Sequence, residues 1–180
     1  IAAVSLIYRF CLIPFENFQS EWGQIIVFLS IASMFLGAIA AIAQTNIKRL
    51  LAYSSIGHIG YILIALVAAN DESIKAASIY MFSYMVMNIA IFSIILSIKI
   101  KNDYLVEIND LKGLSKTNPI VSLSIAIIML SMAGIPPFIG FFAKFYVFIA
   151  AIKQELYVIS ILGVIASVIS AFYYLKIIKV

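Results

Sequence analysis

The chain has 180 residues, of which 64% are hydrophobic and only 11% are charged; its net charge is +4 and its mean hydropathy is +1.13. A soluble domain is roughly half apolar and about a quarter charged, so this composition excludes an ordinary water-soluble protein and predicts a membrane protein embedded in a lipid bilayer. The single cysteine, Cys11, excludes a disulfide framework within the chain. The excess lysine is expected on loops at one membrane face, and no nucleic-acid partner is expected.

The apolar segments predict an all-α fold, a polytopic transmembrane helical bundle of about six spans. The opening IAAVSLIYRFCLI lacks the basic start and the cleavage site of a signal peptide. We interpret it as the second half of a helix whose beginning is missing, so the chain is expected to be a fragment. Five further apolar segments cover residues 25–43, 52–69, 75–98, 120–152 and 156–178. Most of them match the ~20 residues that cross a bilayer core.

The segment 120–152 is too long for one straight span, because 33 helical residues would reach about 50 Å. Gly134, Pro136 and Pro137 divide it into two parts, about 120–134 and 138–152, since proline lacks an amide donor and clashes with the preceding turn. The two parts form either one broken span or a hairpin.

The basic residues favour the broken span. That topology places eight of them on one side: Lys48, Arg49, Lys99, Lys101, Lys112, Lys116, Lys176 and Lys179. Arg9, Lys75 and Lys153 then lie on the other side, whereas a hairpin would divide the eleven residues seven to four. The side with eight basic residues is expected to be cytoplasmic. The polar stretch 99–119 is then a cytoplasmic loop, and apolar residues three apart in it, from Leu105 to Leu114, indicate a short surface helix.

Lys144 is the most informative residue, because it lies in the second half of the broken segment among aromatic residues. A charge at the bilayer centre costs about 2.5–3.5 kcal/mol on insertion scales. One interpretation is a side chain that extends to the interface. The favoured interpretation is a lysine that faces the bundle interior and takes and releases protons. The helix break supports it, because irregular backbone is tolerated in a membrane where it lines a polar cavity.

Two polar stripes accompany this lysine. His58 is the only histidine, and Ser54, Ser55 and Tyr61 lie three or four residues from it on one helical face. A proton relay and a structural hydrogen bond are equally favoured for it, and no metal site is expected.

In the next span, Tyr80, Tyr84 and Asn88 follow at intervals of four. Interhelical hydrogen bonding is slightly favoured over a water wire for this stripe. A similar face of Ser167, Ser170 and Tyr174 in the last span is expected to serve packing.

The runs QTNIKRLLAYSSIGHIGY, MLSMAGIPPFIGFFAKFYVF and SVISAFYYLKIIKV, in this order and spacing, resemble the antiporter-like membrane subunits of respiratory complex I. The first run, through its QTNIKRL and SSIGHIG patterns, also resembles subunits L and M of the complex and the multisubunit cation/proton antiporters. The lysine at position 144 and the ending SAFYYLKIIK are most similar to the subunit N branch of the family. The resemblance covers essentially all 180 residues but less than half of a family chain, and it implies a C-terminal fragment.

The resemblance implies two inverted five-helix repeats, each with one broken helix. The chain would be a single membrane domain, residues 1–180, holding the end of the first repeat and essentially all of the second. Lys144 would be the proton-channel lysine, and His58, Tyr84, Asn88, Ser54, Ser55 and Tyr61 would belong to the proton path. Some relatives carry histidine on the helix of Tyr84 and Asn88, where this chain has none.

The resemblance also implies partners and cofactors. The partners would be the other membrane subunits of complex I. This chain would bind no cofactor, while NADH, FMN, iron–sulfur clusters and quinone would be bound by other subunits. The expected function is proton translocation as part of an NADH:quinone oxidoreductase in a bacterial inner membrane. The alternatives are a subunit of a cation/proton antiporter and a purely structural membrane subunit.

Overall fold

The structure, a computed structural model, describes the backbone of residues 2–100, 103–104 and 106–180. Its α-helices in this part are α1 (Ala2–Leu12), α2 (Gln19–Ile42), α3 (Ile47–Ala68), α4 (Asp71–Ser97), α5 (Leu114–Thr117), α6 (Pro119–Ala133), α7 (Ile139–Lys153) and α8 (Tyr157–Lys179). Short 3₁₀ helices cover Glu16–Phe18 and Ile108–Leu111. Two two-residue strands, β1 (Lys99–Ile100) and β2 (Asp103–Tyr104), pair antiparallel.

The predicted all-α membrane bundle is confirmed. Within the described residues, four helices are long and apolar enough to span a bilayer: Glu16–Ile42, which joins the first 3₁₀ turn to α2, and α3, α4 and α8. The segment around Pro136 and Pro137 forms two 15-residue helices, α6 and α7. Their bounds agree with the predicted break.

Helix α3 begins five residues earlier than its apolar segment, at Ile47. The reason is the side chain of Asn46, whose Oδ1 accepts from the backbone amides of Lys48 and Arg49 at 2.9 and 3.1 Å. Such an N-cap satisfies amides that have no partner within the helix. Lys48 and Arg49, interpreted from sequence as part of a connection between spans, therefore lie in the first turn of α3.

Helices α6 and α7 form one broken span rather than a hairpin. At one end, Asn118 and Val121 at the start of α6 line the same surface cavity as Ser97, the last residue of α4. At the other end, Lys153 of α7 forms an ion pair of 2.6 Å with Glu72 in the first turn of α4. Because the pair of helices contacts both ends of α4, it runs antiparallel to α4 along its length.

This arrangement gathers the basic residues at one end of the bundle. The bridge between Asn46 and Glu107 holds the start of α3 beside the loop that follows α4, and Ile177 near the end of α8 shares a cavity with Ser122 of α6. We call this end the basic face and the other end the opposite face. Of the eight basic residues predicted on one side, seven lie at the basic face, and Lys101 lies outside the described residues.

The predicted surface helix in the loop takes the form of two short turns, Ile108–Leu111 and α5. Ile108 and Leu111 are buried and Leu114 is half-buried, so these apolar residues attach the loop to the bundle. Asp110 accepts from the backbone amide of Glu107 at 2.8 Å and stabilises the first turn. Leu105 lies outside the described residues.

Small residues bring α2 and α3 into close contact. A Cβ atom on Gly37 would lie 2.6 Å from the backbone nitrogen of Gly57 and 2.7 Å from the carbonyl oxygen of Tyr53. The hydroxyl of Ser30 donates to the carbonyl of Gly60 at 2.7 Å. Small residues of this kind drive helix association in lipid, where apolar side chains gain little from leaving the acyl chains. The contact fixes the position of α3, which carries His58.

We expect Gly37→Ala to lower the thermal stability of the full-length protein in detergent. The added methyl group meets backbone atoms, which cannot move aside, and overpacking of this kind costs about 1–3 kcal/mol. Gly23→Ala on the same helix is the matched control, because a Cβ atom there meets nothing within 4 Å and alanine is the better helix former. Equal melting temperatures for the two variants would contradict the proposed close contact.

Candidate functional site

Lys144 lies inside the bundle at the break between α6 and α7, and only 5% of its surface is exposed. Its Nζ donates to the carbonyl oxygen of Ala133 at 3.0 Å and to Oγ of Ser167 at 2.8 Å. The same atom lies 4.9 Å from the centre of the Tyr61 ring, in reach of a cation–π contact. The ammonium group is therefore held by neutral groups, and the side chain does not extend to an interface.

The sequence of the break explains why the Ala133 carbonyl is free. In a continuing helix this carbonyl would accept from the backbone amide of residue 137, but Pro137 has no amide hydrogen. Gly134 ends α6 in the left-handed conformation, with φ of +85°. The chain then turns so that the amide of Gly140 donates to Oγ of Ser131 at 3.2 Å. The break thus supplies an unused backbone acceptor in the membrane interior, and Lys144 binds it.

His58 joins three helices and is only 4% exposed. Its Nδ1 lies 2.9 Å from the hydroxyl of Tyr80 on α4, and its Nε2 lies 2.9 Å from the hydroxyl of Tyr174 on α8. The Tyr174 hydroxyl is also hydrogen-bonded to Oγ of Ser54. A neutral imidazole has one donor and one acceptor nitrogen, and a tyrosine hydroxyl both donates and accepts. Either tautomer therefore satisfies every partner, so the hydrogen bonds can run in both directions.

A second branch leads from His58 toward the outside of α4. The ring of Tyr84 stacks on the His58 ring with 4.7 Å between centres. The Tyr84 hydroxyl donates to Oγ of Ser55 at 2.7 Å and accepts from Nδ2 of Asn88 at 3.3 Å. Tyr84 and Asn88 line a groove on the outer surface of α4. This hydrogen-bonded group reaches the surface of the chain, and the stacked rings place it against the buried histidine.

A small cavity separates His58 from Lys144. Both residues line it, together with Tyr61, Ser170 and Tyr173 among others, and its volume is about 10 Å³. This is close to the least volume that holds one water molecule, and the polar lining supplies the partners that a buried water needs. The cavity is thus at the lower limit of size for one water molecule between the two groups.

The polar side chains are unevenly distributed through the bundle. Apart from the exposed pair of Lys153 and Glu72, those that bond one another lie close to mid-membrane or nearer the basic face, from Lys144 and Ser167 to Ser54 and Asn88. Toward the opposite face, the described buried polar side chains Tyr8, Ser73 and Ser160 each donate to a backbone carbonyl. The other buried side chains there are apolar, as in Ile64, Leu66, Ala77, Val147, Ala151 and Ile159. The network within this chain thus leads from mid-membrane toward the basic face.

The structure brings the residues selected from the sequence into two groups. Lys144 lies beside Gly134 at the break formed by Pro136 and Pro137. The second group surrounds His58 and contains Ser54, Ser55, Tyr61, Tyr84 and Asn88. Whether these groups carry protons stays a prediction.

Sequence reasoning missed the functional interest of α8 and of one backbone atom. The sequence pattern predicts a packing role for Ser167 and Tyr174, and it does not single out the Ala133 carbonyl. Two signals were available: Ser167 and Tyr174 are two turns apart on one helical face, and Pro137 follows Ala133 by four residues. Neither signal names the partner helix. In the described part of the chain, no group of three or more His, Cys, Asp or Glu side chains is arranged to hold a metal ion.

Comparison with known proteins gives consistent matches. The family described as NADH:quinone oxidoreductase/Mrp antiporter, TM, matches residues 1–170. NADH-quinone oxidoreductase subunit N of Pelagibacter ubique (strain HTCC1062) is 54% identical over 180 residues, which cover 100% of this chain and 38% of that protein.

Two solved structures are also similar. A chain of respiratory complex I from Thermus thermophilus with bound aureothin has a TM-score of 0.78 at 33% identity, over 87% of this chain and 35% of that one. A chain of the Mrp complex from Dietzia sp. DQ12-45-1b has a TM-score of 0.87 at 29% identity, over 97% and 32%. The chain therefore spans well under half the length of the proteins it matches.

We expect Gly134→Ala to destabilise the full-length protein more than Gly113→Ala does. Both glycines have φ near +80°, at +85° and +80°, where alanine costs about 1–2 kcal/mol. Only at Gly134 does the new Cβ meet a side chain, lying 3.0 Å from Cδ and 3.3 Å from Nζ of Lys144, whereas at Gly113 it meets nothing within 4 Å. Lys144 can move aside only by weakening its two hydrogen bonds, which for a charged donor contribute about 1.5–3 kcal/mol each. Thermal unfolding measures the stability of the two variants. An equal loss of stability in Gly134→Ala and Gly113→Ala would show that Gly134 does not hold Lys144 in place.

Proposed function

This chain belongs to the NADH:quinone oxidoreductase/Mrp antiporter transmembrane family, and on that premise we propose that it forms part of a proton-translocating membrane subunit of an NADH:quinone oxidoreductase. The family resemblance inferred from the sequence motifs is confirmed by the subunit N relatives. The family and its bacterial members make the chain a multi-pass protein of the bacterial inner membrane.

The observation that carries the proposal is the buried Lys144 on the free carbonyl of Ala133. A lysine in a membrane interior is costly, so one that has no charged partner there is by default a functional-site hypothesis. Here it bonds a carbonyl and a hydroxyl, and no carboxylate among the described residues forms an ion pair with it. Neutral acceptors stabilise the ammonium group without locking it in the charged state, as a carboxylate would. Lys144 is thus suited to gain and lose a proton.

The remaining polar groups suggest how a proton reaches this lysine. His58 and Lys144 line one cavity of about 10 Å³, close to the least volume that holds a water molecule. Tyr80 and Tyr174 occupy both ring nitrogens of His58, so the protonated ring turns away from Tyr174 to donate the Nε2 proton to water in that cavity. The water then passes a proton to neutral Lys144. A charge change in a neighbouring subunit then favours release of the proton from Lys144. Moving one charge against a membrane potential of 100 mV costs about 2.3 kcal/mol. Modest changes in the stability of the charged lysine are therefore sufficient to drive proton uptake and release.

The chain's place in the larger assembly is part of the proposal. Its partners are the other membrane subunits of the complex, and residues 1–180 form one membrane domain with the end of the first inverted repeat and essentially all of the second. NADH oxidation and quinone reduction take place in other subunits, which hold NADH, FMN, iron–sulfur clusters and quinone. The chain's own residues bind and move protons and exclude water from the apolar half of the bundle.

We expect Lys144→Ala in the full-length protein, assembled in its complex, to lower proton pumping more than about tenfold, since a positioned proton carrier typically contributes about 10²–10⁴-fold. Pumping and NADH:quinone turnover are measured together in reconstituted vesicles. Lys153→Ala is the matched control. Lys153 lies on the same helix, but its ion pair with Glu72 is exposed and such pairs contribute about 0–1 kcal/mol.

The alternatives give different results. Unchanged pumping and turnover in an assembled Lys144→Ala complex would make Lys144 structural and refute its role in translocation. A rate that requires Na⁺ or K⁺ and persists without NADH would favour the cation/proton antiporter, the function that the name of the Mrp family members suggests. Loss of pumping with an intact assembly supports the proposal.

A further inference from the structure

We propose that Ser167 and Tyr174 of α8 act in the proton path. Tyr174 relays protons between Ser54 and His58, and Ser167 positions Lys144. This inference rests on the proposed function. Both residues lie on one face of α8, seven positions and therefore about 10.5 Å apart along the helix axis. Tyr174 is nearer the basic face, and Ser167 lies at mid-membrane beside the helix break.

Tyr174 occupies the position that a relay requires. Its hydroxyl is bonded to Oγ of Ser54 and to Nε2 of His58, so it connects the serine on the basic-face side to the histidine. The side chain is fully buried, which excludes bulk water as a substitute path at this point. Tyr80, the other partner of His58, bonds only the histidine among the described side chains.

The transfer through Tyr174 conserves protons and charge. A proton arriving at Ser54 from the basic-face side lets the Ser54 hydroxyl release its own proton to Oη of Tyr174. Tyr174 simultaneously releases its phenolic proton to Nε2 of His58, which becomes a cation. Ser54 and Tyr174 end as neutral hydroxyls, and the direction of the hydrogen bonds that they donate is reversed. The cationic ring then turns away from Tyr174, and Nε2 gives its proton to water in the cavity that His58 shares with Lys144. His58 returns to the neutral state with its remaining proton on Nδ1, bonded to Tyr80.

Ser167 acts through Lys144. Its Oγ accepts from Nζ at 2.8 Å, and with the Ala133 carbonyl it fixes the ammonium group between α6 and α8. Without the hydroxyl, Nζ keeps only the carbonyl and the face of Tyr61. The groups that titrate near Lys144 are Tyr61 and His58 on α3 and Tyr173 on α8, all of which line the shared cavity. Ser167 is therefore a positioning residue, which keeps Nζ aimed at the end of that cavity.

The first experiment uses Tyr174→Phe in the full-length subunit, assembled in its complex and reconstituted in vesicles. We expect pumping to fall about tenfold, equivalent to about 1.4 kcal/mol in the slowest barrier, while assembly is retained because the ring remains. Tyr8→Phe is the matched control. Tyr8 is also buried and bonded to α3, but its hydroxyl donates to the backbone carbonyl of Ile62, outside the network. Equal pumping in both variants would overturn the relay.

The second experiment separates positioning from packing. Ser167→Ala should lower pumping, and Ser167→Thr should restore it, because threonine keeps the hydroxyl. Ser160→Ala is the control on the same helix, since its hydroxyl donates to the backbone carbonyl of Leu156. The pH profile of pumping should change in Ser167→Ala and stay as in the wild type in Ser160→Ala. An unchanged profile and rate in Ser167→Ala would overturn the role of Ser167.

Comparison with Lys144→Ala distinguishes the two proposals. If Lys144→Ala abolishes pumping while Tyr174→Phe and Ser167→Ala do not change it, the inference on α8 fails and the proposed function stands. If Lys144→Ala also pumps normally, the proposed function fails and the inference fails with it.

Discussion

The structure depends on one constraint, that a backbone polar group inside a membrane needs a partner. Pro137 removes the amide that the Ala133 carbonyl would otherwise accept from. In water this carbonyl would be hydrated, but in a bilayer it must be satisfied from within the bundle. Lys144 of the next helix donates a hydrogen bond to this carbonyl. The same contact stabilises the ammonium charge, which would otherwise be costly in the membrane interior. Two unfavourable features of the sequence thus stabilise each other.

The rest of the bundle positions partners around this pair. Gly37 and Gly57 let α2 and α3 approach closely, which sets the depth at which α3 presents His58 and Tyr61. Helix α8 contacts both polar groups, since Ser167 bonds Lys144 and Tyr174 bonds His58. Every buried side-chain nitrogen and oxygen in the described residues has a hydrogen-bond partner. A network satisfied in this way can be polar without opening the bundle to water.

Much of the fold follows from composition and spacing. The spans, the break at Gly134, Pro136 and Pro137, and the gathering of lysines at one face were all predicted, because apolar length and proline act locally. The start of α3 was predicted five residues late, because the cap made by Asn46 is independent of hydropathy. Lys144 and His58 were identified from their rarity in apolar helices. Tyr174 and Ser167 were undervalued, because a serine or tyrosine in a membrane helix serves packing as readily as chemistry.

The sequence by itself determined that this chain lies in a membrane, where its helices break, and which ionisable groups are placed within them. It also determined that the carbonyl of Ala133 would have no partner in its own helix. Only the tertiary structure decided which groups meet: that Lys144 takes this carbonyl, that Tyr174 joins Ser54 to His58, and that the network leads toward the basic face. These contacts join residues 11 to 120 positions apart, and the packing of separate helices, which no local pattern encodes, brings them together.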